Sequence, residues 1–148
     1  MAELLLQHGA RVNLEGGLNH HTPLYIACLA GKVETARTLL AHGADVNAAD
    51  DYRDTPLHVA VRGNRKDLVK LLLTTNVNLN LESRGGTKMQ PAFDFSGEFQ
   101  GEIGGTPLHI AIQGKHKEIA ALLKAKGAID TGRDLRGWHP SGLPFNPD

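Results

Sequence analysis

One cysteine stands in 148 residues, Cys28, so no disulfide can close within the chain. That excludes a small scaffold stapled by disulfides, and it fits a reducing, cytoplasmic setting. Aromatic residues amount to 5% of the sequence, and 16 Lys and Arg balance 16 Asp and Glu to a net charge of zero. Proteins that hold nucleic acid ordinarily carry a basic excess, so no nucleic-acid partner is expected. The halves differ a little: residues 1–54 hold 4 basic and 7 acidic side chains, residues 55–148 hold 12 and 9. An imbalance of that size is what solvated faces carry. No apolar run reaches the roughly 18 residues of a membrane span. The apolar stretch after Met1 lacks the basic start and small-residue cleavage site of a secretory leader. The absences together predict a cytoplasmic protein with no membrane partner.

What the chain does have is repetition. Thr22-Pro23-Leu24-Tyr25, Thr55-Pro56-Leu57-His58 and Thr106-Pro107-Leu108-His109 open three blocks. Each block closes on an apolar run and a turn: Leu39-Leu40-Ala41-His42-Gly43, Leu71-Leu72-Leu73-Thr74-Thr75-Asn76 and Leu122-Leu123-Lys124-Ala125-Lys126-Gly127. From Thr22 to Thr55 is one period, and from Thr55 to Thr106 is that period plus an insertion. One further period from Thr106 lands on His139-Pro140, after Asp134-Leu135-Arg136-Gly137-Trp138. Near the start, Leu4-Leu5-Leu6-Gln7-His8-Gly9-Ala10 matches the second half of a block.

Each block reads as a pair of helices. The Thr hydroxyl can accept from an orphan N–H of the first turn, and Pro suits the first helical position because it lacks a donor that would have no partner. Leu24, Ile26 and Ala27 are expected to face inward, as are Leu57, Val59 and Ala60, and Leu108, Ile110 and Ala111. The first helices end near Gly31, Gly63-Asn64 and Gly114-Lys115, where a left-handed residue is wanted. Lys115 occupies the usual glycine position, and Gly114 is expected to take over that role. Second helices follow over 33–41, 66–73 and 117–125, with apolar residues at helical spacing. Gly43 and Gly127 cap two of them, with Asn76 as the substitute in the third.

A period of about 33 residues with Thr-Pro-Leu-His openings resembles the ankyrin repeat. The resemblance covers about residues 2–140 apart from the insertion, and it implies an all-α solenoid of stacked helix pairs joined by β-hairpin turns. In this reading residues 1–148 form a single domain. Residues 1–21 are a partial first repeat, 22–54 a repeat, 55–105 a repeat with an insertion at about 81–105, 106–138 a repeat, and 139–148 a stub. One helix pair cannot bury its own apolar face, so the units must stack. Leu4 and Leu5, in a first unit without its first helix, then have neighbours on one side only. Breaks within a repeat at both ends favour a slice of a longer array. The residues 141–147, with two prolines and a glycine, favour a genuine terminus in which Trp138 and Phe145 cover the last repeat.

Candidates for chemistry are few. The resemblance implies a structural task for His58 and His109, bonding to Thr and to the backbone of adjoining turns, which Tyr25 cannot copy. His8 and His42 end successive second helices, roughly 10 Å apart at helix-packing distance, too far to share a zinc ion ligated at about 2 Å. His20 and His21 have no third ligand nearby in sequence. Gly85-Gly86-Thr87-Lys88 lacks the earlier glycine and the strand-to-helix context of a phosphate loop. Asp50, Asp51 and Asp54 have no pocket to perturb them. No catalytic residue, metal or cofactor is expected, and the chain is read as a non-enzyme.

The informative departure is the insertion. Between Asn80 and Thr106 the family pattern wants about eight residues, and 25 intervene. Phe93, Phe95 and Phe99 fall there, three of the four phenylalanines. The alternation from Ala92 to Gln100 around Ser96-Gly97 reads as a short β-hairpin finger. Long loops are usually functional or disordered, and aromatics argue against disorder, so the finger is expected to bind, with packing on neighbouring helices as the other reading. The family grips partners with hairpin tips and the exposed side of the first helices. Matching positions are His21, Leu29, Tyr52, Asp54, Arg62 and Gln113, and Tyr52 and Arg62 rank first because Tyr and Arg tend to carry interface energy. Asn13, Asn47 and Asn80 recur after each second helix and are expected to bond the turn backbone. The function implied is recognition of another protein, a scaffold role with a folded partner or an extended peptide. Two alternatives stay open: an inhibitor or immunity-type protein blocking a toxin or enzyme, and the ankyrin segment of a larger enzyme or channel. The chain is expected to be a monomer, with self-association through the exposed end repeat as the alternative.

Overall fold

A computed structural model describes residues 2–84 and 104–130. These form seven helices in chain order: α1 (Ala2–Gln7), α2 (Pro23–Ala30), α3 (Val33–Ala41), α4 (Pro56–Arg62), α5 (Lys66–Leu73), α6 (Pro107–Gln113) and α7 (Lys117–Ala125). The first helices α2, α4 and α6 stack in one row and the second helices α1, α3, α5 and α7 in another. Within a unit α2 packs on α3, α4 on α5 and α6 on α7. The architecture is an all-α stack of helix pairs. The expected finger around Phe93, Phe95 and Phe99, and the expected cover by Trp138 and Phe145, lie outside the described residues.

The Thr-Pro openings do the capping their chemistry predicts. Thr22, Thr55 and Thr106 are extended N-caps whose side chains accept from the N–H of Tyr25, His58 and His109, with Pro next in line. In the second and third cases the histidine returns the bond, completing a capping box. Thr55 N–H donates to His58 Nδ1 at 3.1 Å. His58 Nε2–H is thereby free to donate to the carbonyls of Leu81 (2.9 Å) and Gly105 (3.1 Å). Burial lowers the His58 pKa and keeps the ring neutral. Tyr25 makes no such return bond and instead stacks on His21, ring centroids 4.2 Å apart.

The core runs between the two rows. Leu24, Leu57, Leu108, Leu68, Leu72, Ile119 and Leu123 are all 0–1% exposed, and each contributes roughly 1.5–3 kcal/mol of burial. Cys28 is fully buried, and burial alone pushes its thiol pKa up to about 12, so it is an inert packing residue. Ile26 departs from expectation. It is 47% exposed, whereas Val59 and Ile110, also four residues after their Thr, are 5% and 4% exposed. α4 and α6, which carry Val59 and Ile110, each pack on the preceding first helix, α2 or α4, and no described helix precedes α2 in that row.

Two turn assignments are also corrected. Lys115 itself takes the left-handed conformation (φ 58°), as Asn64 (φ 53°) and Gly31 (φ 73°) do at the same place, while Gly114 stays at φ −73°. The chain must reverse at that residue whatever occupies it. Asn76 is not left-handed. The end of α5 is closed instead by the hydroxyls of Thr74 and Thr75, which donate to the Leu71 and Leu72 carbonyls at 2.6 Å each.

Successive units are tied in register by asparagine. Asn13 donates to Gly43 O and accepts from Asp45 N–H (2.7 Å). Asn47 donates to Asn76 O and accepts from Asn78 N–H (2.7 Å), and Asn80 accepts from Ile129 N–H (3.1 Å). Each amide thus bonds the backbone of the next turn.

Candidate functional site

The hairpin between α3 and α4 is built from Asp50. Its buried carboxylate accepts from Tyr52 N–H and Asp54 N–H at 2.9 Å each, an Asx-type turn, and Arg53 turns left-handed at φ 63°. Tyr52 is held half-buried at the tip. Adjacent tips are joined through their backbones, with Asp51 N–H donating to Asn19 O and Arg84 N–H to Tyr52 O (2.8 Å). His20 adds an exposed 2.9 Å pair with Asp51.

Leu29, Arg62 and Gln113 sit at one repeat position, seven residues after Thr22, Thr55 and Thr106. Leu29 is 53% exposed, and Arg62 and Gln113 are partly exposed. Asp54 is placed differently from the others: it is 1% exposed and cannot itself form much of a contact surface. Its carboxylate grips Arg62 in a fork, 2.7 Å to Nη1 and 3.2 Å to Nη2, and also accepts from the Ser83 hydroxyl. A fork of this kind fixes the guanidinium plane as well as its charge.

Nothing in the sequence marks Ser83, yet it ties the insertion to this cluster. Ser83 and Gly105 exchange both backbone bonds, at 3.0 and 2.8 Å. The chain therefore leaves and re-enters the unit at one closed neck. That neck rests on Asp54 through the Ser83 hydroxyl and on His58 through the Gly105 carbonyl. Phe93, Phe95 and Phe99 lie outside the described residues. His21 faces Asp50 at 3.3 Å and packs on Tyr25, whose phenol pKa is raised by burial first and by the Asp50 and Asp54 charges next.

Among the described residues no group of three or more His, Cys, Asp or Glu is placed to hold a metal ion. His8 and His42 each bond a carbonyl of their own helix, Leu4 O at 2.7 Å and Thr38 O at 2.8 Å. Among the described residues no helix is long and apolar enough to cross a membrane.

The stacked helix pairs, Thr-Pro caps and hairpin tips agree with the family comparison. The model for "Ankyrin repeats (3 copies)" matches residues 1–83, and that for a single ankyrin repeat matches 104–133. The chain belongs to the ankyrin-repeat family. Ankyrin repeats are protein-interaction modules, and residues 84–103 fall between the two matches. Among curated relatives, an ankyrin repeat protein of fowlpox virus (strain NVSL) is 40% identical over 147 residues, 96% of this chain and 21% of its own length. Inversin of Gallus gallus is 37% identical over 113 residues, 74% of this chain and 9% of its own length. NF-kappa-B inhibitor cactus of Drosophila melanogaster is 41% identical over 61 residues, 40% of this chain and 12% of its own length. The chain thus spans between 9% and 21% of the length of these ankyrin relatives.

Proposed function

We propose that the chain is a non-catalytic recognition module that holds a protein partner on the face carrying Tyr52, Arg62, Leu29 and Gln113, together with the insertion that bears Phe93, Phe95 and Phe99. One observation carries this reading: the neck at Ser83 and Gly105 is fastened to the same Asp54 that orients Arg62. The described ends of the insertion and the first-helix face therefore share a base, which supports one partner engaging both. Asp54 acts from beneath, holding Arg62 in place. A cytoplasmic, monomeric protein belongs to the same proposal.

The similarity to cactus, an NF-kappa-B inhibitor by name, supports a second reading in which the bound partner is thereby blocked. Both readings are tested by affinity capture from source lysate, comparing the intact chain with Tyr52→Ala/Arg62→Ala and with Phe93→Ala/Phe95→Ala/Phe99→Ala. Folded variants that lose the same prey support the shared surface. A prey retained by both variants rejects it. An activity assay on the captured prey, with and without the chain, separates inhibition from simple recruitment.

A further inference from the structure

The hairpin before α2 carries two adjacent histidines, and each faces a carboxylate of the hairpin before α4. His20 Nδ1 lies 2.9 Å from Asp51 Oδ1, with both side chains exposed. His21 Nε2 lies 3.3 Å from Asp50 Oδ2, in a pair that is largely buried. His20 makes its contact from a left-handed backbone at φ 56°, the turn position that Arg53 takes in the next hairpin at φ 63°. A single backbone bond runs beside these pairs, from Asp51 N–H to Asn19 O at 3.4 Å. Tyr52 follows Asp51 directly, and its N–H is held by Asp50. The two carboxylates that meet histidine are thus the ones that set the tip presenting Tyr52. Other charges stand close by. His20 shares a surface hollow with Arg11 and Glu15. His21 stacks on Tyr25, whose phenol also bonds Asp50, and shares a second hollow with Arg11 and Lys32. The charges of Asp54 and Arg62 reach Tyr25 as well, but the fork pairs those two with each other. Arg11, Lys32 and the N-terminal end of α2 oppose a positive ring at His21, and the Asp50 carboxylate in contact with that ring answers them.

We propose that His20 and His21 form a proton-sensitive joint between these two hairpin tips, which tightens as pH falls and fixes the tip that carries Tyr52. A neutral imidazole gives its carboxylate an ordinary hydrogen bond, whereas an imidazolium gives a charge-assisted one, roughly twice as strong. Histidine is the side chain that passes between these forms over about pH 5 to 8. Each ring takes one proton from solvent on the nitrogen that does not face the carboxylate, and no other bond is made or broken. The tightening is local. At His58 falling pH acts the other way, because burial holds that ring neutral and a proton on it weakens the stack as a whole. The consequence for binding rests on the reading of Tyr52 as a partner contact: a partner gripped there is held more firmly at about pH 6 than at about pH 7.5.

The test uses the full chain, isotope-labelled and followed by NMR between about pH 7.5 and pH 5.5. The amides of Asp51 and Tyr52 should shift along the titration curves of the His20 and His21 rings. Protection of the Asp51 N–H from exchange, corrected for the pH dependence of the unprotected rate, should rise about two- to fivefold, the strength of an exposed ion pair. His20→Gln/His21→Gln keeps a donor at each place and should remove both effects. Asp51→Asn, at an exposed tip where the fold is not at risk, should remove the part due to His20 alone. His42, which bonds a carbonyl of its own helix, should titrate without moving these amides. Amides of Asp51 and Tyr52 that ignore the two rings, that respond equally in the double variant, or that lose protection as pH falls overturn the proposal. Affinity capture of the partner at both pH values then tests the reading beneath it. A tip that tightens while capture stays constant upholds the joint and counts against Tyr52 as a partner contact.

Discussion

Ile26 and Ile110 hold the same repeat position in the first and last described helices of the first-helix row, and truncating each to Ala measures what the neighbouring helix contributes. The change removes three carbon groups, worth about 2.4 kcal/mol of transfer at roughly 0.8 kcal/mol per buried group. Ile110 is 4% exposed beneath α4, so nearly all of that is lost and a closed cavity adds to it. The expected cost is about 3–4 kcal/mol. Ile26 keeps 47% of its surface in water. About half the transfer term applies, and an open groove leaves no sealed void, so the expected cost is about 1 kcal/mol. Urea unfolding followed by circular dichroism reads both, with the slope checked for constancy so that midpoints can be compared. In melting, the larger loss corresponds to about 10 °C and the smaller to about 3 °C for a chain of this length. Equal costs would refute the reasoning, because Ile26 would then be covered in solution.

Three further perturbations follow from single contacts. Asp54→Ala removes the fork on Arg62 and the Ser83 acceptor in one step; since the Arg62 side chain is 22% exposed, we expect about 2–3 kcal/mol, below the cost of breaking a fully buried pair. A loss in chemical denaturation of less than about 0.5 kcal/mol, the range of ordinary surface substitutions, would remove Asp54 from its structural role. Lys115→Gly relieves a left-handed non-glycine residue at φ 58° and should raise stability by about 1 kcal/mol, whereas Gly31→Ala at φ 73° should lower it by at least as much, since the added methyl also meets the Arg65 guanidinium. A thermal melt showing the reverse signs refutes the turn assignment. Neutral His58 has a folded pKa below its unfolded value of about 6.5, so the unfolded chain takes up the proton first. Stability attributable to it is fully present above about pH 6.5 and is lost as pH falls from there through the folded pKa. His58→Gln should flatten the stability profile as pH falls below about 6.5, and an unchanged slope counts against burial of a neutral ring.

Much of the stack is legible in the sequence because each signal is local and repeated. Thr-Pro followed by an apolar triplet states its own cap, and the second-helix bounds predicted from periodicity coincide with α3, α5 and α7. What escapes depends on neighbours. Ile26 has the same sequence surroundings as Val59, and only the lack of a described first helix ahead of it leaves it exposed. Asp54 and Arg62 read as two surface side chains, because nothing in their spacing reveals a fork closed between a hairpin base and the end of a helix. Ser83 carries no sequence signal at all, since its partner Gly105 lies on the far side of the insertion. Lys115 misleads for another reason: glycine preference at a left-handed position is a tendency of residues, while the reversal itself is imposed by the stacking of α6 on α7.

The asparagine ladder explains how α1 keeps its place on the stack. A lone second helix of six residues is too short to hold itself, and α1 has no described first helix to lean on. It is retained from the far side. α1 packs on α3, Leu6 and Val12 lie partly buried against the core, and Asn13 clamps the following turn to Gly43 and Asp45. The place of α1 is thus set by contacts with the second unit. Asn13→Ala should cost about 1 kcal/mol in urea unfolding while leaving recognition at Tyr52 and Arg62 untouched, since no described contact links Asn13 to that tip. Unfolding of the variant, alongside capture of the partner held by the tip, reads the two effects separately. Loss of the partner together with stability would show that the array acts as one unit and that α1 is not locally held.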